Sequence, residues 1–340
     1  MLYNNQKDEV NAMDIELLPA LSGRKLELWT QLLQQSGLTP DKQADSVLLI
    51  WEEDELIATA SRLGNLLKCI AVDSRHQGED LTATLLTQLR QDALMAGHRH
   101  LFLYTKPKNK LMFSSLFFYP IAETDSVLLM ENRPKGIAEF LDSLPVSATS
   151  GTTGAIVMNC NPFTKGHRYL IETAAKDCDN LYVFVLSEDK SHFKADDRMA
   201  MVKAGTADIA NVTVLPTGPY LISSATFPTY FLKEQATIQN AQCELDVAVF
   251  AKYYAPKFGI TRRYVGTEPF CGLTAQYNAA LEKLLPAHGI ELHQIPRLES
   301  GDTPISASAV RQRLSAGDRE AIAELVPQST YDYLLAHDLF

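Results

Sequence analysis

The chain has 340 residues, which is long enough for two domains of ordinary size, each with its own hydrophobic core. Hydrophobic residues make up 46% of it and charged residues 21%, proportions that are normal for a globular protein. The formal net charge of -10 argues against nucleic acid as the main partner, because a phosphate backbone is usually met by a basic surface. An acidic enzyme acting on small anionic substrates fits this charge, since a local site can still be basic.

The cysteines and the apolar runs indicate a cytoplasmic location. None of the five cysteines belongs to a Cys-x-x-Cys pair, so neither a zinc site nor a disulfide framework is predicted, and reduced thiols are expected. No apolar run approaches the roughly 20 residues that span a bilayer. The first residues also lack the apolar core of a signal peptide. We therefore expect a protein of the cytoplasm with no membrane partner.

The first half alternates short strands with helices. Apolar residues between 26 and 33 recur at helical spacing, which predicts a first helix that ends before Gly37. A second helix is predicted from Leu81 to about Met95, and a third around residues 111–117. This mixture indicates an α/β or α+β domain. The strand-like runs are 46–51, 56–60, 66–72, 101–104 and 127–130.

The loop Arg75-His76-Gln77-Gly78-Glu79-Asp80 opens the second of these helices. With the elements around it, this loop resembles the GNAT acyltransferase family over roughly residues 15–132. In that family an Arg/Gln-x-x-Gly-x-Gly/Ala loop holds the pyrophosphate of coenzyme A on backbone amides. Here Arg75 and Gly78 match, whereas Asp80 takes the final small position, where an acid would crowd and repel a phosphate. We expect residues 1–135 to form a GNAT-like domain used for docking or as a scaffold, in preference to acyl transfer.

A segment rich in Pro, Ser, Thr and Gly separates the two halves, and we expect residues 136–153 to be a linker. From residue 154 to residue 340, apolar strands alternate with helices. That pattern is typical of a parallel sheet covered on both faces, so the whole chain is predicted to be of the α/β class. The strand candidates are 155–158, 181–186, 212–215, 247–250, 263–266 and 292–295.

The second domain opens on a strand, a tight Asn/Pro loop and a helix whose start carries a histidine. The loop and helix start read Asn159-Cys160-Asn161-Pro162-Phe163-Thr164-Lys165-Gly166-His167. The N-terminus of a helix presents free backbone N–H groups, which bind phosphate readily. A second helix start, Ile305-Ser306-Ala307-Ser308-Ala309-Val310-Arg311, offers two hydroxyls and a guanidinium. Together the two segments indicate chemistry at the phosphates of a nucleotide.

Both segments resemble those of the nucleotidylyltransferase superfamily. Residues 164–167 are similar to its (His/Thr)-x-Gly-His hallmark, and residues 305–311 to its Ile-Ser-x-Ser/Thr-x-x-Arg segment. The resemblance implies a Rossmann-like parallel sheet, with the site at the carboxyl ends of its strands beside the switch point.

The same resemblance assigns roles to individual residues. It makes His167 a hydrogen-bond donor to the oxygen that bridges the α and β phosphates, where charge builds as pyrophosphate leaves. Thr164 would donate a hydroxyl hydrogen bond to the same region, and Gly166 would let the backbone approach the phosphates. Cys160 is not expected to be a nucleophile, because no base is evident beside it and the superfamily uses no covalent enzyme intermediate. The expected catalytic residues are His167, Thr164, Arg311, Ser306 and Ser308.

Further residues are expected to bind the nucleotide. The superfamily often places a lysine and an arginine after the second strand, near the triphosphate, and Lys190 and Arg198 are the candidates here. Gly266, Thr267 and Glu268 follow a later strand and should contribute to the nucleotide or acyl pocket. The remaining expected contacts are Asn159, Asn161, Pro162, Phe163 and Gly166.

Over nearly its whole length the chain resembles the citrate lyase ligase family, which joins a GNAT-like domain to a Thr-x-Gly-His domain. That family activates acetate with ATP and loads it onto the thiol of the CoA-derived prosthetic group on the acyl carrier subunit of citrate lyase. AMP and pyrophosphate are released. The resemblance implies ATP with Mg²⁺, acetate and the citrate lyase complex as partners, and a first domain that helps to dock the carrier or its prosthetic arm. The segments that carry it are 265–271, 277–278, 295–297 and 305–311.

Three other functions remain open from the sequence. One is a nucleotidyltransferase that makes a dinucleotide cofactor, and another is a GNAT acetyltransferase whose second domain senses a nucleotide. The third, a relative of aminoacyl-tRNA synthetases, is disfavoured by the acidic charge and by the missing Lys-rich second signature.

Overall fold

A computed structural model of the chain describes residues 13–147, 150–189, 191–221, 230, 235–267, 272–300 and 303–340. Contacts divide these residues into two compact units. The first unit runs to Gly136 and also includes Tyr230 and residues 235–238. The second unit comprises the rest of the described residues, from Ile137 to Phe340.

The first unit is built on one mixed sheet. Its strands within the described residues are β1 (Met13–Leu18), β2 (Ser46–Glu52), β3 (Glu55–Leu63), β4 (Leu66–Val72), β5 (Phe102–Thr105), β6 (Tyr119–Glu123) and β7 (Leu128–Glu131). They lie in the order β1-β2-β3-β4-β5-β7-β6. The pair β4 and β5 is parallel, and the other neighbours are antiparallel.

Among the described residues before Gly136, three helices accompany this sheet, and the second matches its predicted bounds. They are α1 (Gly23–Gln35), α2 (Leu81–Met95) and α3 (Lys110–Ser115). Short 3-10 turns at Ser74–His76 and Pro107–Asn109 precede α2 and α3. The leucines of α2 at 85, 86 and 89 are buried against the sheet, because spacings of three and four residues place them on one face of the helix.

The second unit contains the predicted parallel sheet, which confirms its α/β class. Its strands are β8 (Thr153–Met158), β9 (Asn180–Val185), β10 (Val212–Pro216), β11 (Arg262–Gly266) and β12 (Glu291–Ile295). They lie in the order β10-β9-β8-β11-β12, and every neighbouring pair is parallel. All six residues of β9 are buried, as expected for a strand covered on both faces. A short hairpin, β13 (Glu299–Ser300) with β14 (Thr303–Pro304), follows β12.

Helices separate these strands and complete the chain. They are α4 (Gly136–Asp142), α5 (Lys165–Lys176), α6 (Ala195–Gly205), α7 (Gln235–Val249), α8 (Ala255–Phe258), α9 (Gly272–Leu284), α10 (Ala307–Ser315), α11 (Arg319–Leu325) and α12 (Gln328–Ala336). A π-helical turn, Phe250–Tyr254, joins α7 to α8, and a 3-10 turn, Leu285–His288, follows α9.

The strand predicted at residues 247–250 is wrong, because these residues end α7 and begin the π-helical turn. Val247, Val249 and Phe250 are all buried. A short run of buried apolar residues has no period that separates a strand from a buried helix. The helical residues before it decide the conformation.

The segment expected to be a linker, 136–153, differs from that expectation in its first part. Residues 136–142 form α4, whose Ile137 and Leu141 are buried, and from Ile137 on they belong to the second unit. Leu141 follows Ile137 by four residues, so both side chains lie on one face of the helix. Across the ranges that the structure describes, no helix is both long enough and apolar enough to cross a bilayer.

Candidate active site

The two predicted motifs meet at one edge of the parallel sheet. Strands β8 and β11 are neighbours at its centre, and the strand order runs outward from them in both directions. Ligands of open α/β sheets bind at the carboxyl ends of the strands beside such a switch point. Residues 159–164 leave β8 there and enter α5, and residues 305–306 lead into α10.

Thr164 is the N-cap of α5, and it holds the ring of His167. Its Oγ1 accepts a hydrogen bond from the backbone N–H of His167 at 3.3 Å and lies 2.9 Å from Nδ1 of the imidazole. The backbone N–H of Thr164 donates to the same Nδ1 at 3.0 Å. Thr164 is only 1% exposed. The expected hydroxyl donation to a phosphate is therefore corrected, because this hydroxyl is buried and already bonded to His167.

These contacts determine which nitrogen of His167 carries the proton. Because Nδ1 faces a backbone N–H and a hydroxyl, it acts as an acceptor, and Nε2 is left as the N–H donor of a neutral ring. Burial lowers the pKa of His167 from 6.5 to about 4, and the positive charge of Arg297 adds to the effect. The imidazole is neutral around pH 7 and can donate a hydrogen bond from Nε2 without carrying charge.

Gly166 is required where the two motifs touch. A Cβ at this position would lie 3.0 Å from the backbone oxygen of Ile305 and 3.6 Å from Oγ1 of Thr164. The first of these distances is shorter than ordinary van der Waals contact, and a backbone atom cannot move aside as a flexible side chain can. The expected approach of the backbone at Gly166 to phosphates stays a prediction. The distances show instead that the absence of a Cβ at residue 166 leaves room for Ile305 of the second motif.

The second motif begins with a cap and ends with a link back to the first loop. Oγ of Ser306 accepts the backbone N–H of Ala309 at 3.1 Å, so Ser306 is the N-cap of α10. Arg311 donates from Nη1 to the backbone oxygen of Asn161 at 2.6 Å and from Nη2 to Oγ of Ser308 at 3.0 Å. Ser308 is exposed. The structure thus brings His167 and Arg311 to a single place.

Arg198 lies beneath the site and not on its surface. The residue is fully buried, and its Nε donates to the backbone oxygen of Phe193 at 3.1 Å. Nη1 donates to Oδ1 and the backbone oxygen of Asn159 and to the backbone oxygen of Leu186, while Nη2 donates to that of Glu188. The expected contact with the triphosphate is corrected, since these partners enclose the guanidinium. Arg198 instead joins the loops that follow β8 and β9.

Other residues of the first loop stabilise its conformation through hydrogen bonds and packing. Nδ2 of Asn159 donates to Oγ of Ser191 at 3.1 Å, and Oδ1 of Asn161 accepts the backbone N–H of Phe193 at 3.0 Å. Pro162 and Phe163 are buried. The ring of Phe163 stacks on that of His167, with centroids 6.0 Å apart, so the expected nucleotide contact becomes a support for the imidazole.

Arg297, which follows β12 on the other side of the switch point, is a further cation of the site, and no role was expected for it. The backbone N–H of Arg297, just after β12, donates to Oγ1 of Thr267 at 3.2 Å, and its charge acts on His167. Burial lowers the pKa of Arg297. Gly266, at the end of β11, has its carbonyl bonded by Nδ2 of Asn278 at 2.9 Å. The signal for Arg297 was its position directly after a predicted strand end.

Two of the expected nucleotide contacts, Lys190 and Glu268, lie outside the described residues. Within those residues, no group of three or more His, Cys, Asp or Glu side chains is placed to hold a metal ion. Cys160 is buried, and this burial raises the pKa of its thiol far above the usual range, which agrees with a structural role.

Comparison with known families gives a consistent result. The family described as citrate lyase ligase C-terminal domain matches residues 153–334. The chain is 42% identical to the citrate (pro-3S)-lyase ligase of Escherichia coli K12, over 92% of this chain and 90% of that protein. It is 37% identical to the enzyme of the same name from Haemophilus influenzae, over 92% and 95% of the two chains.

Other matches cover smaller parts of the chain. A phosphopantetheine adenylyltransferase of Clostridium botulinum is 45% identical over 56 residues, which are 16% of this chain and 34% of that protein. Among solved structures, Thermotoga maritima TmcAL bound with alpha-thio ATP has a TM-score of 0.37 at 15% identity, over 54% of this chain and 55% of that one. Escherichia coli ElaA scores 0.31 at 17% identity, over 36% of this chain and 100% of that one.

Proposed function

Because the chain belongs to the citrate lyase ligase family, we propose that it activates acetate with ATP and acetylates the prosthetic-group thiol of the citrate lyase acyl carrier subunit. AMP and pyrophosphate are the other products. The observation that carries the proposal is the contact between residues 164–167 and 305–311. It brings together the N-termini of α5 and α10 and the neutral imidazole of His167. Helix N-termini stabilise anions through their free N–H groups and the positive ends of their dipoles.

The phosphates of ATP are held in this proposal between the N-termini of α5 and α10. Arg311 and Arg297 supply positive charge there, and Ser308 offers an exposed hydroxyl. Thr164 and Arg198 do not contact the phosphates in this proposal. Thr164 orients the imidazole of His167, and Arg198 joins the loops that follow β8 and β9. Most of the catalytic effect then comes from positioning and electrostatics, as in other transfers at phosphorus.

The reaction follows from these positions in two steps. A carboxylate oxygen of acetate attacks the α-phosphorus, the bond to the bridging oxygen breaks, and pyrophosphate leaves with the electron pair. Nε2–H of His167 donates to that bridging oxygen as its charge develops, and a donor of this kind lowers a barrier by about 2.7–4 kcal/mol. The thiolate of the carrier then attacks the carbonyl carbon of acetyl-adenylate, and AMP leaves.

We propose that Mg²⁺ enters this site with ATP, bound chiefly by phosphate oxygens. Mg²⁺ commonly keeps several waters and uses substrate phosphates in place of a cage of protein ligands. The lack of a metal-binding cluster among the described side chains is compatible with that mode. The ion would neutralise part of the charge on the departing pyrophosphate.

Mass spectrometry of the carrier subunit tests the proposal. The protein is incubated with thiol-bearing carrier, MgATP and acetate, and pyrophosphate is assayed in parallel. We expect an acetyl adduct that requires ATP and disappears in His167→Ala, while His288→Ala, a change at an exposed histidine, leaves it in place. Pyrophosphate without an adduct would keep adenylylation but reject this acceptor. An adduct formed from acetyl-CoA without ATP would reject the proposal.

A further inference from the structure

The first unit contains a cleft of about 1050 Å³ beside the diverging ends of β4 and β5. These strands pair at Leu66 with Phe102 and at Leu67 with Leu103, and the cleft is lined by residues further along both. Its apolar walls include Leu28, Leu32, Ile70, Phe113 and Leu116. The resemblance of this unit to GNAT acyltransferases implies coenzyme A as its ligand, with the diphosphate on the loop that enters α2.

The cation of that loop already has anionic partners. Arg75 donates from Nε to Oδ1 of Asp73 at 3.0 Å and from Nη2 to Oδ2 of Asp73 at 3.2 Å, and its Nη2 also bonds a carboxylate oxygen of Glu55. Two carboxylates therefore bond Nε and Nη2 of Arg75 and place negative charge beside the loop whose backbone amides would hold a diphosphate. Both acids and Arg75 line the cleft.

The start of α2 is also unfavourable for an anion. Asp80 is its N-cap, in a left-handed conformation with φ of 55°, and its side chain makes no capping hydrogen bond. A carboxylate at this point lies at the positive end of the helix dipole, where a phosphate would bind. Glu79 precedes it and accepts a contact from His76 at 3.0 Å. Four carboxylates, two of them bonded to Arg75, thus belong to this loop and its surroundings, and each repels a diphosphate.

We infer that Glu55, Asp73 and Asp80 exclude the diphosphate of coenzyme A from the first unit, by pairing with Arg75 and by occupying the N-terminus of α2. The unit is therefore no acyltransferase that depends on coenzyme A, although the apolar part of its cleft still suits an uncharged chain. This inference concerns residues remote in sequence from the ATP motifs and is tested without ATP.

The experiment is isothermal titration of the full chain with coenzyme A and with pantetheine, its thiol-bearing part that lacks the diphosphate. The variant is Glu55→Gln with Asp80→Gly, because glycine accepts the left-handed conformation at residue 80. Glu53→Gln is the matched control, since Glu53 is an exposed acid on the same turn as Glu55 but does not line the cleft. Thermal melting of each variant checks that it is folded.

We expect the wild-type chain to bind coenzyme A no more tightly than pantetheine. The double variant should bind coenzyme A at least tenfold more tightly than the wild type, and adding Arg75→Gln to it should abolish the gain. The control should behave as the wild type. Wild-type binding of coenzyme A that is tenfold tighter than that of pantetheine, or a folded double variant with no gain, would overturn the inference.

Discussion

The turn after β4 in the first unit and the turn after β8 in the second both lead from a strand into a helix, and they handle charge in opposite ways. In the second unit the loop after β8 uses its N-cap, Thr164, to orient a neutral imidazole, and no carboxylate occurs from residue 159 to residue 167. In the first unit the loop after β4 pairs Arg75 with Asp73 and Glu55 and places Asp80 at the helix start. The two loops share a glycine and a helix start but differ in the partners of their polar groups, and we propose that these partners decide whether an anion is accepted.

The largest effect is expected for His167→Ala, which removes the donor that distinguishes the second turn. ATP-dependent acetylation of the carrier should fall by about 10²–10³-fold, the usual effect of losing one preorganised donor. Initial rates at saturating ATP measure this. Melting temperature should change little, and a variant that kept more than half of the activity would contradict the assigned role.

Arg198, the buried arginine of the second unit, should contribute to the stability of the fold, whereas Arg75, the exposed arginine of the first unit, should not. Arg198→Met leaves several backbone oxygens without a donor, and we expect the free energy of unfolding to fall by about 3 kcal/mol or more. Arg75→Met should have no measurable effect, because Arg75 is 59% exposed. Urea denaturation of both variants checks the difference. Unchanged stability of Arg198→Met, with only the KM for ATP raised, would restore a direct contact with the triphosphate.

Gly166→Ala tests the joint between the two motifs. The new Cβ would press on the backbone oxygen of Ile305 and displace the start of α10 by a few tenths of an ångström. Because displacements of this size are costly at a reacting centre, we expect about a tenfold loss of kcat/KM. Lys176→Ala, an exposed change at the far end of α5, is the control. Equal activity of the two variants would show that the contact with Ile305 has no role in catalysis.

The smallest effect on activity is expected from a change of pH between 6.5 and 8. The pKa of His167 falls on folding from 6.5 to about 4, so the folded protein binds this proton less tightly than the unfolded chain. The resulting stability is complete above pH 6.5 and is lost as pH falls toward 4. Between pH 6.5 and 8 the activity should show no titration of this ring. Imidazole resonances assigned by comparison with His167→Ala measure the pKa, and a midpoint near 6.5 would contradict the neutral donor.

The parallel sheet and the order of both motifs could be predicted from the sequence, whereas the roles of several site residues could not. β9 was recognisable because it is apolar from Leu181 to Val185, and the strand–loop–helix order placed His167 at the start of α5. The bonds of Thr164 and Arg198 were not predictable, since a hydroxyl or a guanidinium can face a ligand or a backbone oxygen with the same local sequence. The close contact of Gly166 could not be predicted from its local sequence either, because its neighbour Ile305 belongs to the other motif.

The most direct test of the account follows the oxygen of acetate. The protein is incubated with MgATP, thiol-bearing carrier and acetate labelled in both oxygens with a heavy isotope, and the released AMP is analysed by mass spectrometry. If acetate attacks the α-phosphorus at the site formed by residues 164–167 and 305–311, AMP carries a single heavy oxygen. Unlabelled AMP, or release of ADP in its place, would contradict that chemistry.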